Sequence, residues 1–125
     1  MKRHDPTVTD PTVTDPEKYT VVFENDRVRV LEYHDRPGDK THPHRHPDSV
    51  MYTLSSFQRR VSSGGRHADV GLAAGQVRWV AAQEHVGENT GATDTHCLFI
   101  ELKEPESTPG QVRGQVTGQA LGPGD

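Results

Sequence analysis

A single cysteine, Cys97, is all the chain contains, which excludes an internal disulfide framework. It lies in the apolar run Cys97-Leu98-Phe99-Ile100, where a buried and inert thiol is expected. Hydrophobic residues make up only 30% of the 125 residues, low for a globular protein. They concentrate between Tyr19 and Leu102, so polar ends dilute a core large enough for one domain. Such a core is modest, and a homodimer through outer strands would bury more apolar surface. No stripe of Lys or Arg is present and the formal net charge is −4. That argues against a nucleic-acid partner, because phosphate backbones are bound by clustered positive charge. No segment approaches the length of a membrane span, and Met1-Lys2-Arg3-His4-Asp5-Pro6 lacks the apolar stretch of a signal peptide. We therefore expect a cytoplasmic protein with no membrane partner.

Helical periodicity is scarce too. Only Asp15-Pro16 offers a helix start, with Asp as cap and Pro at the first helical position. Elsewhere the pattern is that of strands. Arg27-Val28-Arg29-Val30 alternates polar and apolar, the mark of a half-buried strand. Val50-Met51-Tyr52-Thr53-Leu54 is dense in strand formers. Ser62-Ser63-Gly64-Gly65 reads as a hairpin turn between strands at 57–61 and 66–72. Further strands are expected at 76–80 and 96–102, preceded by the turns Ala73-Ala74-Gly75 and Thr90-Gly91-Ala92. Many short strands at regular spacing predict an all-β barrel or sandwich.

The ends differ in kind. Residues 1–16 carry a direct repeat, Asp5-Pro6-Thr7-Val8-Thr9 then Asp10-Pro11-Thr12-Val13-Thr14, too short in period for a solenoid. A flexible arm and an extended strand laid along a partner are the two readings, and we expect a loosely held arm. Residues 104–125 are rich in Pro, Gly, Gln and Ser and are expected to be disordered. The barrel is placed at 17–103.

Chemistry concentrates in Gly38-Asp39-Lys40-Thr41-His42-Pro43-His44-Arg45-His46. Side chains two apart in a strand share a face, so His44 and His46 can reach one cation from a barrel interior. His85, a short turn beyond the strand at 76–80, is the best third ligand. Neutral imidazoles suit Zn, Fe, Ni or Cu, and three of them leave positions open for water or substrate. His42 has the same parity, but Pro43 and the turn should rotate it away. Asp48 and Glu84 read as solvated charges that could serve as outer partners of an imidazole. Asn89 should brace its turn.

These residues resemble the cupin family. Its first motif runs Gly, five residues, His-x-His, and Gly38, His44 and His46 fit that half without a gap. Its second motif appears as Gly75, Ala81 in the Pro place, Gln83 in the Gly place, then His85 and Asn89. The resemblance covers roughly 21–102. The glutamate that supplies the family's fourth ligand falls at Val50 or Met51, and the glycine closing the first motif falls near Phe57. The runs 24–30 and 44–48 are similar to a group of small cupins linked to β-alanine breakdown. The resemblance implies a single cupin barrel with a three-His site, as in cupin dioxygenases. It implies one divalent metal ion per chain, with Fe(II) favoured and Zn, Ni, Mn and Cu as alternatives.

A dication on three neutral ligands keeps its full charge and should attract a small anionic molecule. An enzyme, most concretely an Fe(II) dioxygenase, is the first reading. A binding module without turnover, or a Zn or Ni isomerase or hydrolase, is the alternative. Tyr33 and His96 are the candidate acid–base residues. Tyr33, Tyr52, Trp79 and Phe99 are candidate pocket walls, while Arg29, Arg78 and Glu101 are expected to face water.

Overall fold

The structure, a computed structural model, describes residues 10–103. The expected disordered tail at 104–125 and the first nine residues of the arm lie outside the described residues. The described part is almost entirely β. Strands β1 (Tyr19–Glu24), β2 (Val28–Asp35), β3 (His44–His46), β4 (Ser49–Thr53), β5 (Phe57–Ser63), β6 (Arg66–Leu72), β7 (Val77–Val80), β8 (Gln83–Asn89) and β9 (Thr95–Leu102) follow one short helix, α1 (Pro11–Thr14). They form two antiparallel sheets, ordered β1-β2-β9-β4-β7 and β3-β8-β5-β6.

Register sorts the side chains. Leu31, Phe99, Met51 and Arg78 are cross-strand neighbours on one face of the larger sheet. That face looks into the barrel, where Leu31, Tyr19, Tyr33 and Cys97 form the buried core and Met51 and Phe99 pack against it. The opposite face carries Phe23, Val30, Ile100, Val50 and Trp79 in one cross-strand row. The core is small, as the low hydrophobic content predicted, and hydrogen-bonded polar groups fill much of the remaining interior. Asp35, Thr53, Asn89 and Glu101 are all buried, which such groups tolerate only when paired.

Three local expectations are corrected. The β5–β6 turn is tighter than 62–65: Ser62 and Ser63 continue the strand, and only Gly64 and Gly65 turn, at φ 58° and 81°. Positive φ at both central residues is what a type I′ hairpin demands, and glycine meets it without strain. The stretch after β7 is not a simple turn into His85 but the start of β8, held by pairing to β3 and β5 rather than by strand-forming residues.

The helical turn forms one repeat earlier than expected, at Asp10-Pro11 rather than Asp15-Pro16. Asp10 caps it by accepting from the Thr12 amide at 3.1 Å, and Pro11 takes the first helical position. Both repeats offer the same local signal, so tertiary contacts decide. Asp10 pairs with Arg29 at 2.8 Å, whereas Asp15 is fully buried and accepts from the His42 amide. Residues 10–16 are thus fastened to the barrel rather than loosely held.

Candidate metal centre

Strand β3 is only three residues long, and its burial alternates: His44 and His46 face inward, while Arg45 faces solvent. His44 is the register partner of His85 on β8, so the three imidazoles share one inner face. One nitrogen from each ring lies within 4.8 Å of the others. Ring centroids are 4.8 Å apart for His44 and His46, 4.9 Å for His44 and His85, and 5.2 Å for His46 and His85.

The other nitrogen of each ring is held from behind. His44 Nδ1 donates to the His42 carbonyl at 2.8 Å, His46 Nδ1 to Glu101 Oε2 at 3.2 Å, and His85 Nδ1 to Gln83 Oε1 at 3.2 Å. All three partners are acceptors, so the proton resides on Nδ1 and Nε2 keeps its lone pair. The Tyr19 hydroxyl lies 3.3 Å from Nε2 of both His44 and His46. It has one proton to give, so a buried lone pair is left without a donor. Such an orphan is costly in a site where His44 and His46 are only 1% and 0% exposed. A cation on the three Nε2 atoms resolves that deficit, and the donor set suits a divalent transition metal.

Burial and the neighbouring rings keep His44 and His85 neutral. His44 is lowered to about 4, chiefly by burial and then by His46. His85 is lowered to about 3, chiefly by burial and then by His46 and His44. Burial also pushes the Tyr19 hydroxyl well above its usual value, and the Cys97 thiol up to about 12, so that thiol is inert.

The site opens into a cavity of about 390 Å³ walled by Tyr33, Met51, Phe57, Val70, Leu72 and Phe99. Phe99 stacks on His46, with ring centroids 5.0 Å apart and planes 24° apart. Two guanidiniums also border the space. Arg59 is committed: it donates to Asp35 at 2.7 Å, to Thr95 at 3.1 Å and to the Tyr33 hydroxyl at 3.2 Å. Arg78, exposed at the mouth, has no ion pair or hydrogen bond among the described residues.

The sequence-expected residues separate cleanly. His44, His46 and His85 come together. His42 does not join them; its side chain is 72% exposed and pairs with Asp15 at 2.9 Å. Tyr33, Trp79 and Phe99 border the cavity, although Trp79 is 59% exposed and its register partner is the outward Val50, which puts it at the rim. Tyr52 is corrected: it alternates with Met51 and faces outward, 37% exposed. His96 is corrected for the same reason of parity. It lies opposite His34 on the outer face and pairs with Glu32 at 2.5 Å, so it has no access to the site. Arg29 and Glu101 are corrected in the other direction. They are cross-strand partners facing inward and paired at 2.9 Å, with Glu101 only 3% exposed. Asp48 and Glu84 do not support an imidazole; Asp48 accepts from the Ala82 amide and Glu84 is exposed. Asn89 does brace its turn, donating to the Thr93 carbonyl and accepting from the Gly91 amide. Sequence reading missed Tyr19, Asp15 and Gln83. Glu101 was within reach, because it shares parity with Phe99 in one strand.

No family model matches the chain, and no curated protein matches it. Solved structures do. A cupin domain from Bordetella pertussis Tohama I is 27% identical with a TM-score of 0.65, covering 69% of this chain and 92% of that one. A conserved protein with a double-stranded β-helix domain from Klebsiella pneumoniae is 22% identical with a TM-score of 0.55, covering 68% and 70%. A cupin superfamily protein from Desulfitobacterium hafniense is 18% identical with a TM-score of 0.53, covering 69% and 76%. The fold is therefore the cupin double-stranded β-helix, with three histidines placed for one metal ion. Among the described residues no helix is long and apolar enough to cross a membrane.

Proposed function

We propose that this chain is a metal-dependent enzyme that holds one Fe(II) on His44, His46 and His85 and oxidises a small anionic metabolite with molecular oxygen. The observation that carries the reading is the convergence of three Nε2 lone pairs whose Nδ1 atoms are each held from behind. When bound, iron supplies a Lewis acid with open positions and the redox capacity for oxygen chemistry.

The chain's own residues set the rest. Neutral imidazoles leave the cation's charge uncompensated in the inner sphere, which favours an enolate, thiolate or carboxylate. Arg78, unpaired among the described residues, offers a positive charge at the mouth for the same anion. Phe57, Met51 and Phe99 exclude water from the inner cavity. Arg59 does not bind the substrate charge, because Asp35 already neutralises it.

The test is metal analysis of untagged protein beside His44→Ala and His85→Ala, followed by oxygen uptake with diketones, thiols and β-amino acids. One equivalent of iron, absent from both variants, with substrate-dependent oxygen uptake is the expected result. Binding of an acid without uptake by the iron-loaded protein would replace the enzyme by a binding module. Turnover with zinc or nickel and no oxygen demand would replace it by an isomerase or hydrolase.

A further inference from the structure

The three imidazoles come from one sheet. From the other sheet Phe99 stacks on His46, and the hydroxyl that faces the imidazoles is that of Tyr19, the first residue of β1 and 5% exposed. Its ring is fixed on the core side by Tyr33, with centroids 4.6 Å apart at 54°. Edge contacts place it against His44 at 5.5 Å and His46 at 5.7 Å. Its hydroxyl oxygen stands 3.3 Å from Nε2 of each of those two histidines.

That separation fits a second role besides a long hydrogen bond. A good hydrogen bond from a hydroxyl is shorter, about 2.7–2.9 Å, and a single proton cannot satisfy two lone pairs. Two donor atoms on one small cation, each about 2.0–2.1 Å from it at a tetrahedral angle, lie about 3.3–3.4 Å apart. The oxygen therefore keeps ligand-to-ligand spacing from both nitrogens at once. No carboxylate or thiolate joins the three histidines among the described residues, so the position is uncontested.

We propose that Tyr19 Oη is a fourth donor to the metal, making an N₃O set with the oxygen supplied by the opposite sheet. This rests on the three-His metal site proposed above. It adds a hard oxygen donor to borderline imidazoles, and it closes one of the open positions while leaving the cavity side free. It also ties the two sheets through one ion.

The experiment is to load wild-type protein and Tyr19→Phe with one equivalent of Fe(III) and record the visible and resonance Raman spectra, with Tyr33→Phe as control. Fe(III) on Tyr19 Oη displaces the hydroxyl proton to the buffer, so wild type and Tyr33→Phe should show a phenolate-to-iron(III) charge-transfer band with enhanced ring modes. Tyr19→Phe should retain the iron but lose the band, and its Zn(II) affinity in chelator competition should fall by at least about tenfold. Phenylalanine keeps the ring in the core, and the wild-type spectrum decides even if the variant does not fold. Wild type that binds one equivalent of iron without such a band, or a band that survives in Tyr19→Phe, overturns the proposal. Iron that fails to bind wild type, or binds His44→Ala equally well, defeats the three-His site itself and is a different result.

Discussion

Glu101 divides its two oxygens between His46 and Arg29: Oε2 accepts from His46 Nδ1 at 3.2 Å, and Oε1 accepts from Arg29 Nε at 2.9 Å. One buried carboxylate thus orients a metal-facing imidazole while its charge is balanced by a guanidinium that also holds Asp10 on the N-terminal helix. Removing the charge but keeping an acceptor, in Glu101→Gln, should weaken metal binding about 10–100-fold. Glu101→Ala should in addition cost about 3–5 kcal/mol of folding stability, because it leaves Arg29 partly unpaired and His46 without its acceptor. Chelator competition and urea unfolding separate the two effects.

Acid should destabilise the metal-free protein through His44 and His85. Their folded values, about 4 and about 3, lie below the ordinary 6.5. Above 6.5 the imidazoles are neutral in both states and stability is complete. As pH falls below that point the unfolded chain takes up protons that the folded chain refuses. Each histidine then subtracts about 1.4 kcal/mol per pH unit. The loss ends near pH 4 and 3, where the folded state also protonates. Urea midpoints from pH 7 to pH 4 should fall more steeply for wild type than for His85→Gln. Equal slopes would show that these rings do not govern acid sensitivity.

Arg78→Gln should raise KM for an anionic substrate about tenfold or more while leaving kcat, metal content and folding nearly unchanged. The side chain is exposed and has no partner to orphan among the described residues, so a stability change beyond about 0.5 kcal/mol is not expected. A change in metal content instead of KM would remove Arg78 from substrate binding.

The outer face of the larger sheet should bind a second copy of the chain. Phe23, Val30, Ile100, Val50 and Trp79 form an uncharged row across all five of its strands, and Phe23 and Trp79 are 53% and 59% exposed. A five-stranded face is about 24 Å wide. A two-fold pairing would match the row to itself. Sedimentation should show a dimer that Trp79→Lys converts to a monomer. A monomeric wild type at micromolar concentration, or a dimer indifferent to Trp79→Lys, would refute this interface.

What the sequence made legible follows from where the information is local. His44 and His46 sit two apart in a strand, and alternation alone puts them on one face. The Gly64-Gly65 turn announces itself because two successive glycines accept positive φ without strain. The misplaced helix marks the limit: Asp10-Pro11 and Asp15-Pro16 are identical as local signals, and the contacts with Arg29 and His42 that distinguish them are remote in sequence. Tyr52 and His96 were misassigned because composition does not reveal which parity faces inward; their neighbours Met51 and Cys97 do. Glu101 looked like a surface charge because its partner Arg29 is 72 positions away.

Those long separations also bear on kinetics. Two contacts behind the imidazoles are local, His42–His44 and Gln83–His85, but those that bring in β1 and β9 span 25 residues for Tyr19–His44 and 55 for His46–Glu101. The long-range part of the centre is therefore its link to the larger sheet, and completing it requires costly long loops of the chain to be in place. A partly folded intermediate then has no assembled centre, and a chain released before residue 101 lacks one of its supports. The rate at which loaded protein gives up its ion to excess chelator would then track opening of the whole barrel rather than fraying at its rim.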